Sequence, residues 1–191
     1  MTDLNRCSWC GDDPQYVAYH DTQWGKPVHN SRELFEKLCL DGQQAGLSWL
    51  IILRKTDNYR AAFDGFDPNK IAQYDEDKVD QLLQNPGIVR NRLKVNSIIK
   101  NARAYLALEA QGIEFAEFIW GFVDGNQVVN SWQQTSDIPA TSAESEAMSK
   151  ALKKAGFNFV GPTITYAFMQ ACGLINDHLV GCPSRDQCIE K

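Results

Sequence analysis

The stretch LLQNPGIVRNRLKV, residues 82–95, decides how the fold of this chain is read. Leu82 and Leu83 close an amphipathic helix that begins at Asp75 and carries Val79 on the same face. Pro86 and Gly87 interrupt it, and Gly87 supplies the backbone freedom of a tight turn. One apolar residue, Ile88, follows, and a basic helix resumes from about Val89. The amides of Ile88 and Val89 then lie at a helix N-terminus, where unpaired N–H groups bind a phosphate. A plain corner between two helices uses the same residues, so a nucleic-acid reading needs support from elsewhere.

Charge supplies part of that support. The net charge of −5 argues against a nucleic-acid partner, but the distribution argues the other way. Residues 86–108 hold Arg90, Arg92, Lys94, Lys100 and Arg103 and no acid, and residues 147–176 add Lys150, Lys153 and Lys154. The acids collect at Asp75, Glu76, Asp77 and Asp80. A basic stripe on an acidic protein is what a phosphate backbone meets locally, although most such stripes are solvated helix faces. With the Pro-Gly corner, the segment resembles the helix-hairpin-helix element of DNA repair proteins, which docks on phosphates without reading sequence.

The remaining pattern is helical almost throughout, which predicts an all-α fold. Ser31 is the expected N-cap of a helix bearing Leu34, Phe35, Leu38 and Cys39; Asp57 opens another; Asp67-Pro68 pairs a cap with proline at the first helical position. A long helix from about Val89 ends near Gly112, and segments 114–122, 142–155 and 162–173 complete the set. Residues 123–141 are turn-rich with room for a short extended excursion. The helical body is expected over about 31–173, with the hairpin near 79–106, while 1–30 and 174–191 read as irregular and hold all three histidines.

The chain has 191 residues, enough for one large domain with a real core, and no run approaches the roughly 18 apolar residues of a membrane span. With no apolar segment after MTDLNRCSWC, a soluble, cytoplasmic protein is expected. In that setting its six cysteines favour thiol or metal roles over disulfides. One thiolate and one imidazole from each end, Cys7 with His20 and His178 with Cys182, make a Cys₂His₂ set that suits structural zinc. Cys10, Cys188 and His29 compete for the same role on spacing alone.

A further polar run, CLDGQQAGLSW at 39–49, is wedged between apolar segments. The first fifty residues hold Trp9, Tyr16, Tyr19, Trp24 and Trp49. Such aromatics are usually core, but a pocket for a flipped nucleobase needs aromatic faces and a polar group for the base edge. Trp49 and Tyr19 are candidate faces and Asp41 the candidate edge acceptor.

Taken in order, RCSW, YHDTQWG at 19–25, CLDGQQAGLSW, NPGIVRNR at 85–92, KALKKAGFNFVGPTITYAFMQACG at 150–173 and NDHLVGC at 176–182 resemble the bacterial type I 3-methyladenine DNA glycosylase family over nearly the whole chain. The resemblance implies a helix-hairpin-helix glycosylase fold, residues 1–191 acting as one unit, with its ends joined by one structural zinc on Cys7, His20, His178 and Cys182. It places the base pocket on Asp41, Trp49, Tyr19 and Tyr16 with Trp9 on the wall, Leu47 toward the lesion gap, and phosphate anchoring at Gly87, Ile88, Val89, Arg90 and Arg92. The implied partner is alkylated double-stranded DNA, the product is free 3-methyladenine, and the enzyme acts as a monomer.

Many hairpin glycosylases carry a catalytic aspartate after the hairpin, yet residues 90–108 contain no Asp or Glu. A 3-methylated adenine in DNA is cationic, so its glycosidic bond is already weakened and strong activation of water is unnecessary. Asp41 stands where such enzymes usually have Glu, one methylene shorter. The absence of a lysine from the pocket motifs implies hydrolysis without a Schiff base. Two rivals remain: a non-catalytic DNA-binding module, which requires residues 41–49 to be filled core, and a zinc hydrolase or deaminase, which requires an open metal position and a general-acid/base Glu beside the ligands.

Overall fold

The computed structural model describes residues 6–190. It is a helical assembly of α1 (Pro14–Thr22), α2 (Ser31–Gln43), α3 (Trp49–Ala62), α4 (Pro68–Ile71), α5 (Glu76–Leu83), α6 (Arg92–Glu109), α7 (Phe115–Trp120), α8 (Ala143–Lys154), α9 (Pro162–Ala171) and α10 (Pro183–Gln187). Two-residue strands, β1 (Val128–Val129) and β2 (Ile175–Asn176), pair in parallel, with Val128 opposite Ile175. β1 is the excursion expected within 123–141.

α2 and α6 are the central helices, because their apolar residues recur at helical spacing on wide faces. Leu34, Phe35 and Leu38 of α2 and Val95, Ile98 and Ala102 of α6 are fully buried, in one core with Phe115, Met148, Leu152 and Phe168. Capping residues set where several helices begin: Asp67 caps α4 as the sequence predicts, and Asp75 and Ser142 cap α5 and α8.

Four sequence expectations are corrected. Asn30, not Ser31, caps α2, its side chain accepting from Arg32 and Glu33 amides. Ser31 Oγ instead accepts from the Ala116 amide and tethers α7. Asp57 lies inside α3, whose start is set nearer Trp49. α6 begins at Arg92 because Asn91 accepts from the Lys94 amide, so Ile88 and Val89 belong to the turn. The first thirty residues contain a full helix, α1, started by the Asp13 side chain and Pro14; its apolar residues have no helical stripe for a periodicity reading to find.

The N-terminal segment then crosses the end of α9. Gly25 donates to Ala171 O at 3.3 Å and Val28 to Cys172 O at 3.0 Å. Gly173 permits this crossing: it has φ +72°, and a Cβ there would lie 2.4 Å from backbone atoms of Lys26 and Pro27. Gly173→Ala therefore combines a left-handed conformation with a backbone clash, and is expected to lower unfolding free energy by about 3 kcal/mol. Urea unfolding of the purified variant measures this directly.

Candidate active site

Asp41 sits on the last turn of α2 with its carboxylate buried. Oδ1 accepts from the Lys37 ammonium one helical turn earlier, while Oδ2 has no hydrogen-bond partner among the described residues. Burial raises the carboxyl pKa above its ordinary value, and the charge and hydrogen bond of Lys37 oppose that rise. The Lys37 Nζ also lies 3.9 Å from the centroid of the Trp49 ring, a cation–π contact. Lys37 thus binds two of the residues singled out for base recognition.

These groups line a cavity of about 370 Å³. α1 contributes Tyr16 and Tyr19, the preceding loop Trp9, α2 Lys37 and Asp41, α3 Trp49, and α9 Thr163, Tyr166, Ala167, Gln170 and Ala171. The fourth side is the loop residues Thr135, Ile138, Pro139 and Ala140. Trp9, Tyr16, Tyr19, Asp41 and Trp49 are therefore brought together. Among the described residues, Asp41 is the one carboxylate on that wall. Indole Nε1 of both Trp9 and Trp49 is buried without an acceptor among the described residues. Burial, and secondarily the Asp41 charge, push the Tyr19 phenol pKa well up, so it is a neutral donor. An open cavity beside 41–49 does not fit the filled core that a purely structural corner requires.

The two candidate faces do not lie parallel. Tyr19 and Trp49 touch at a centroid distance of 5.6 Å with planes 43° apart. A ring inserted between parallel faces needs a spacing of about 7 Å, twice a van der Waals contact. They form an angled wall. Leu47 stays outside the cavity lining, in the turn between α2 and α3, and is exposed together with Ile51.

The sequence reading missed Lys37 and the contributions of α9 and the 135–140 loop. Lys37 stands at i, i+4 from Asp41, a spacing that places them on one helix face and was legible. Thr163, Ala167, Gln170 and Ala171 also follow helical spacing, whereas the loop carries no such periodic signal. The expected lack of a pocket lysine is likewise corrected: Lys37 lines the cavity, paired with Asp41.

The turn before α6 offers different groups from those expected. Gly87 N donates to Asn85 Oδ1 at 2.8 Å, and Val89 N to the Tyr59 hydroxyl at 3.1 Å. Gly87 lacks a positive φ; its requirement is space, since a Cβ would meet Asn58 Cβ at 3.0 Å. Tyr59 in turn donates to Gln43 Oε1, and Gln43 Nε2 donates to Lys94 O at 3.0 Å. Lys94 is buried, its ammonium donating to the carbonyls of Gln43 and Ala45 at 2.8 and 2.7 Å. Arg103 donates to Ala72 O, and Arg92 is paired with Glu76 and Asp80, whereas Arg90 and Lys100 are exposed. Of the basic stripe, Lys94 and Arg103 therefore serve the fold.

The second cluster joins the chain ends. One donor atom each from Cys7, His20, His178 and Cys182 lies within 4.8 Å of the others, and all four residues are buried. Cys182 Sγ is 3.6 Å from both His20 Nε2 and His178 Nδ1, and Cys7 Sγ is 3.7 Å from His178 Nδ1. The outward nitrogens are also held: His20 Nδ1 lies 2.8 Å from Asp21 and His178 Nε2 lies 3.0 Å from Trp24 O. Two sulfurs and two imidazoles so spaced and so oriented fit a tetrahedral metal. The hydrogen bond from Cys7, with those of the two histidines, lowers the Cys182 pKa, while the same contact and burial raise that of Cys7. Cys10 and His29 lie outside the set; Cys188 Sγ is 3.6 Å from His178, but on its other nitrogen.

Residues 9–186 match the model of the methyladenine glycosylase family. The chain belongs to that family. It is 54% identical over 179 residues to DNA-3-methyladenine glycosylase 1 of Escherichia coli (strain K12), covering 94% of this chain and 96% of the relative. A crystal structure of a 3-methyladenine DNA glycosylase I superposes with a TM-score of 0.92 at 55% identity, covering 93% of this chain and 98% of that one. A Staphylococcus aureus 3-methyladenine DNA glycosylase I, whose structure concerns 3-methyladenine recognition, gives 0.91 at 39% identity, over 95% and 97% of the chains. A family member is expected to keep its pocket walls in register.

Here Asp177 performs that task. Its buried carboxylate accepts from Asn130 Nδ2 and Trp132 Nε1 at 2.7 Å, Tyr166 Oη at 2.5 Å and Gln170 Nε2 at 2.9 Å. It ties the segment leading into the 135–140 loop to α9, two sides of one cavity. Asp177→Ala leaves buried donors without an acceptor and is expected to cost about 3 kcal/mol or more in urea unfolding. Unchanged stability would remove Asp177 from this role.

Proposed function

We propose that this chain is a DNA-3-methyladenine glycosylase that flips the damaged nucleotide into the 370 Å³ cavity and hydrolyses its N-glycosidic bond. The observation that carries the reading is a buried carboxylate with one unpartnered oxygen beside an angled aromatic wall, in a chain of the methyladenine glycosylase family.

Trp49 and Tyr19 offer π faces to an electron-poor, cationic ring. Asp41 accepts from the exocyclic amine of adenine, where guanine presents a carbonyl that a carboxylate repels. Its charge also stabilises the cationic base until the bond breaks. Because the base leaves neutral, residues 90–108 need no further acid, and water attacks the sugar without strong activation. The product is free 3-methyladenine and the enzyme is monofunctional, hydrolysing the bond with no lyase step.

The substrate is alkylated duplex DNA, engaged by α5, the 84–91 turn and α6 acting as a helix-hairpin-helix. Arg90 and the first-turn amides of α6, at Arg92 and Leu93, anchor phosphates, with Gly87, Ile88 and Val89 shaping the turn. The exposed Arg92 pairs are weak enough for a phosphate to displace. Leu47 reaches the gap left by the flipped nucleotide, and the enzyme acts as a monomer. Cys7, His20, His178 and Cys182 hold one structural zinc, which when bound fixes the two ends of the chain and takes no part in the reaction. No helix among the described residues is long and apolar enough to cross a membrane, in keeping with a bacterial cytoplasmic repair enzyme.

The direct test is release of free base from alkylated duplex DNA: 3-methyladenine in preference to 7-methylguanine is expected, and a borohydride-trapped protein–DNA adduct would refute the hydrolytic mechanism. Asp41→Asn should lower kcat/KM about 10- to 100-fold, the range for a lost charged hydrogen bond. The required form is the carboxylate and its pKa is raised. Activity should therefore fall, as pH decreases, above the range of an ordinary aspartate, and the Asn variant should lose that limb of the pH profile. For the metal, Cys182→Ser and His178→Ala should abolish one bound zinc per chain by elemental analysis and depress the melting temperature by about 5 °C or more; an unaltered melting curve would count against it.

A further inference from the structure

Lys37 is the pocket group that neither the base-recognition reading nor the fold requires. Its side-chain nitrogen engages Asp41, the one carboxylate on the cavity wall among the described residues, and lies 3.9 Å from the Trp49 centroid. Both are interactions that a cationic purine would make on entering the same cavity. A carboxylate and a π face favour positive charge, and Lys37 already supplies it.

The surroundings provide a second seat. Lys37, Tyr19, Trp49 and Ala171 also line an adjoining cavity of about 640 Å³. Its wall includes Glu33, one helical turn before Lys37, along with Glu36, Lys26, Asp57 and Arg60. Arg60 is paired with Glu36 and Asp57, whereas Glu33 makes no ion pair among the described residues. An ammonium on a four-carbon stem can exchange Asp41 for Glu33 by changing rotamer, both carboxylates lying four residues away on α2.

We propose that Lys37 is a specificity-determining placeholder: an internal cation that holds Asp41 and Trp49 in the resting pocket and moves toward Glu33 when a cationic methylated base enters. The proposal rests on the base-pocket reading above and concerns the charge that the pocket selects. While Lys37 remains beside Asp41, the pair is neutral overall and a cationic base meets a like charge. The free base released by the reaction is neutral, so return of Lys37 penalises the cation and tolerates the product. Lys37 therefore sets the ratio of affinities for charged and uncharged forms of one purine.

The test measures binding by tryptophan fluorescence at pH 8 with two probes, neutral 3-methyladenine and the fixed cation 3,9-dimethyladeninium. Wild type, K37M, K37Q and K37R are compared, with folding checked by circular dichroism. In K37M and K37Q, affinity for the cation is expected to rise about tenfold relative to that for the neutral base, the scale of one lost charge contact in a partly buried site. K37R, which keeps the charge, should retain the wild-type ratio. K37Q keeps a neutral donor to Asp41 and preserves the test if K37M does not fold. An unchanged ratio in both neutral variants, or an equal change for both probes, overturns the proposal while leaving base binding intact. Failure of folded wild type to bind 3-methyladenine, or binding indifferent to Asp41→Asn, overturns the base-pocket reading and this inference with it.

Discussion

The cavity depends on the closure of the two chain ends around Cys7, His20, His178 and Cys182. Trp9, Tyr16 and Tyr19 stand on the N-terminal segment, and α1 alone has no apolar stripe with which to find its place. It is positioned from both sides. His20 points into the Cys/His cluster, while Gly25 and Val28 lie across the end of α9 beside Gly173.

On the opposite wall the constraint is a buried polar network. Gln43, the last residue of α2, receives a hydrogen bond from Tyr59 and donates to Lys94 O, and the Lys94 ammonium donates back to the carbonyls of Gln43 and Ala45. The Val89 amide joins through Tyr59. Every member has a partner, so the network specifies one arrangement. It also links the turn proposed to meet phosphate with the end of the helix that carries Asp41. Asp41 differs: one of its oxygens is unpartnered among the described residues and the other faces Lys37.

Basic residues show why a charge run in a sequence is ambiguous. Arg90, Arg92, Lys94, Lys100 and Arg103 are equivalent as a count, yet Lys94 and Arg103 donate to backbone carbonyls within the fold. A long aliphatic stem lets lysine or arginine reach inward as readily as outward. Which it does is fixed by carbonyls left free at other helix ends, and these are not written near the residue in sequence.

Much of the local structure was determined by the sequence alone. The periodicity of Leu34, Phe35 and Leu38 and of Val95, Ile98 and Ala102, with caps at Asp67, Asp75 and Ser142, dictates the helices, because these signals act over one or two turns. The residue types of the pocket and the Cys/His cluster were also legible, through a family whose motifs run in order along the chain. Only the tertiary structure decided that Tyr19 and Trp49 form an angled wall, that the Val89 amide is held by Tyr59, and that Lys37 occupies the face of Trp49. Each of these depends on the approach of helices distant in sequence. Local propensity fixes where a helix begins and which face is apolar; the angle at which two such faces meet is set by packing against every other element.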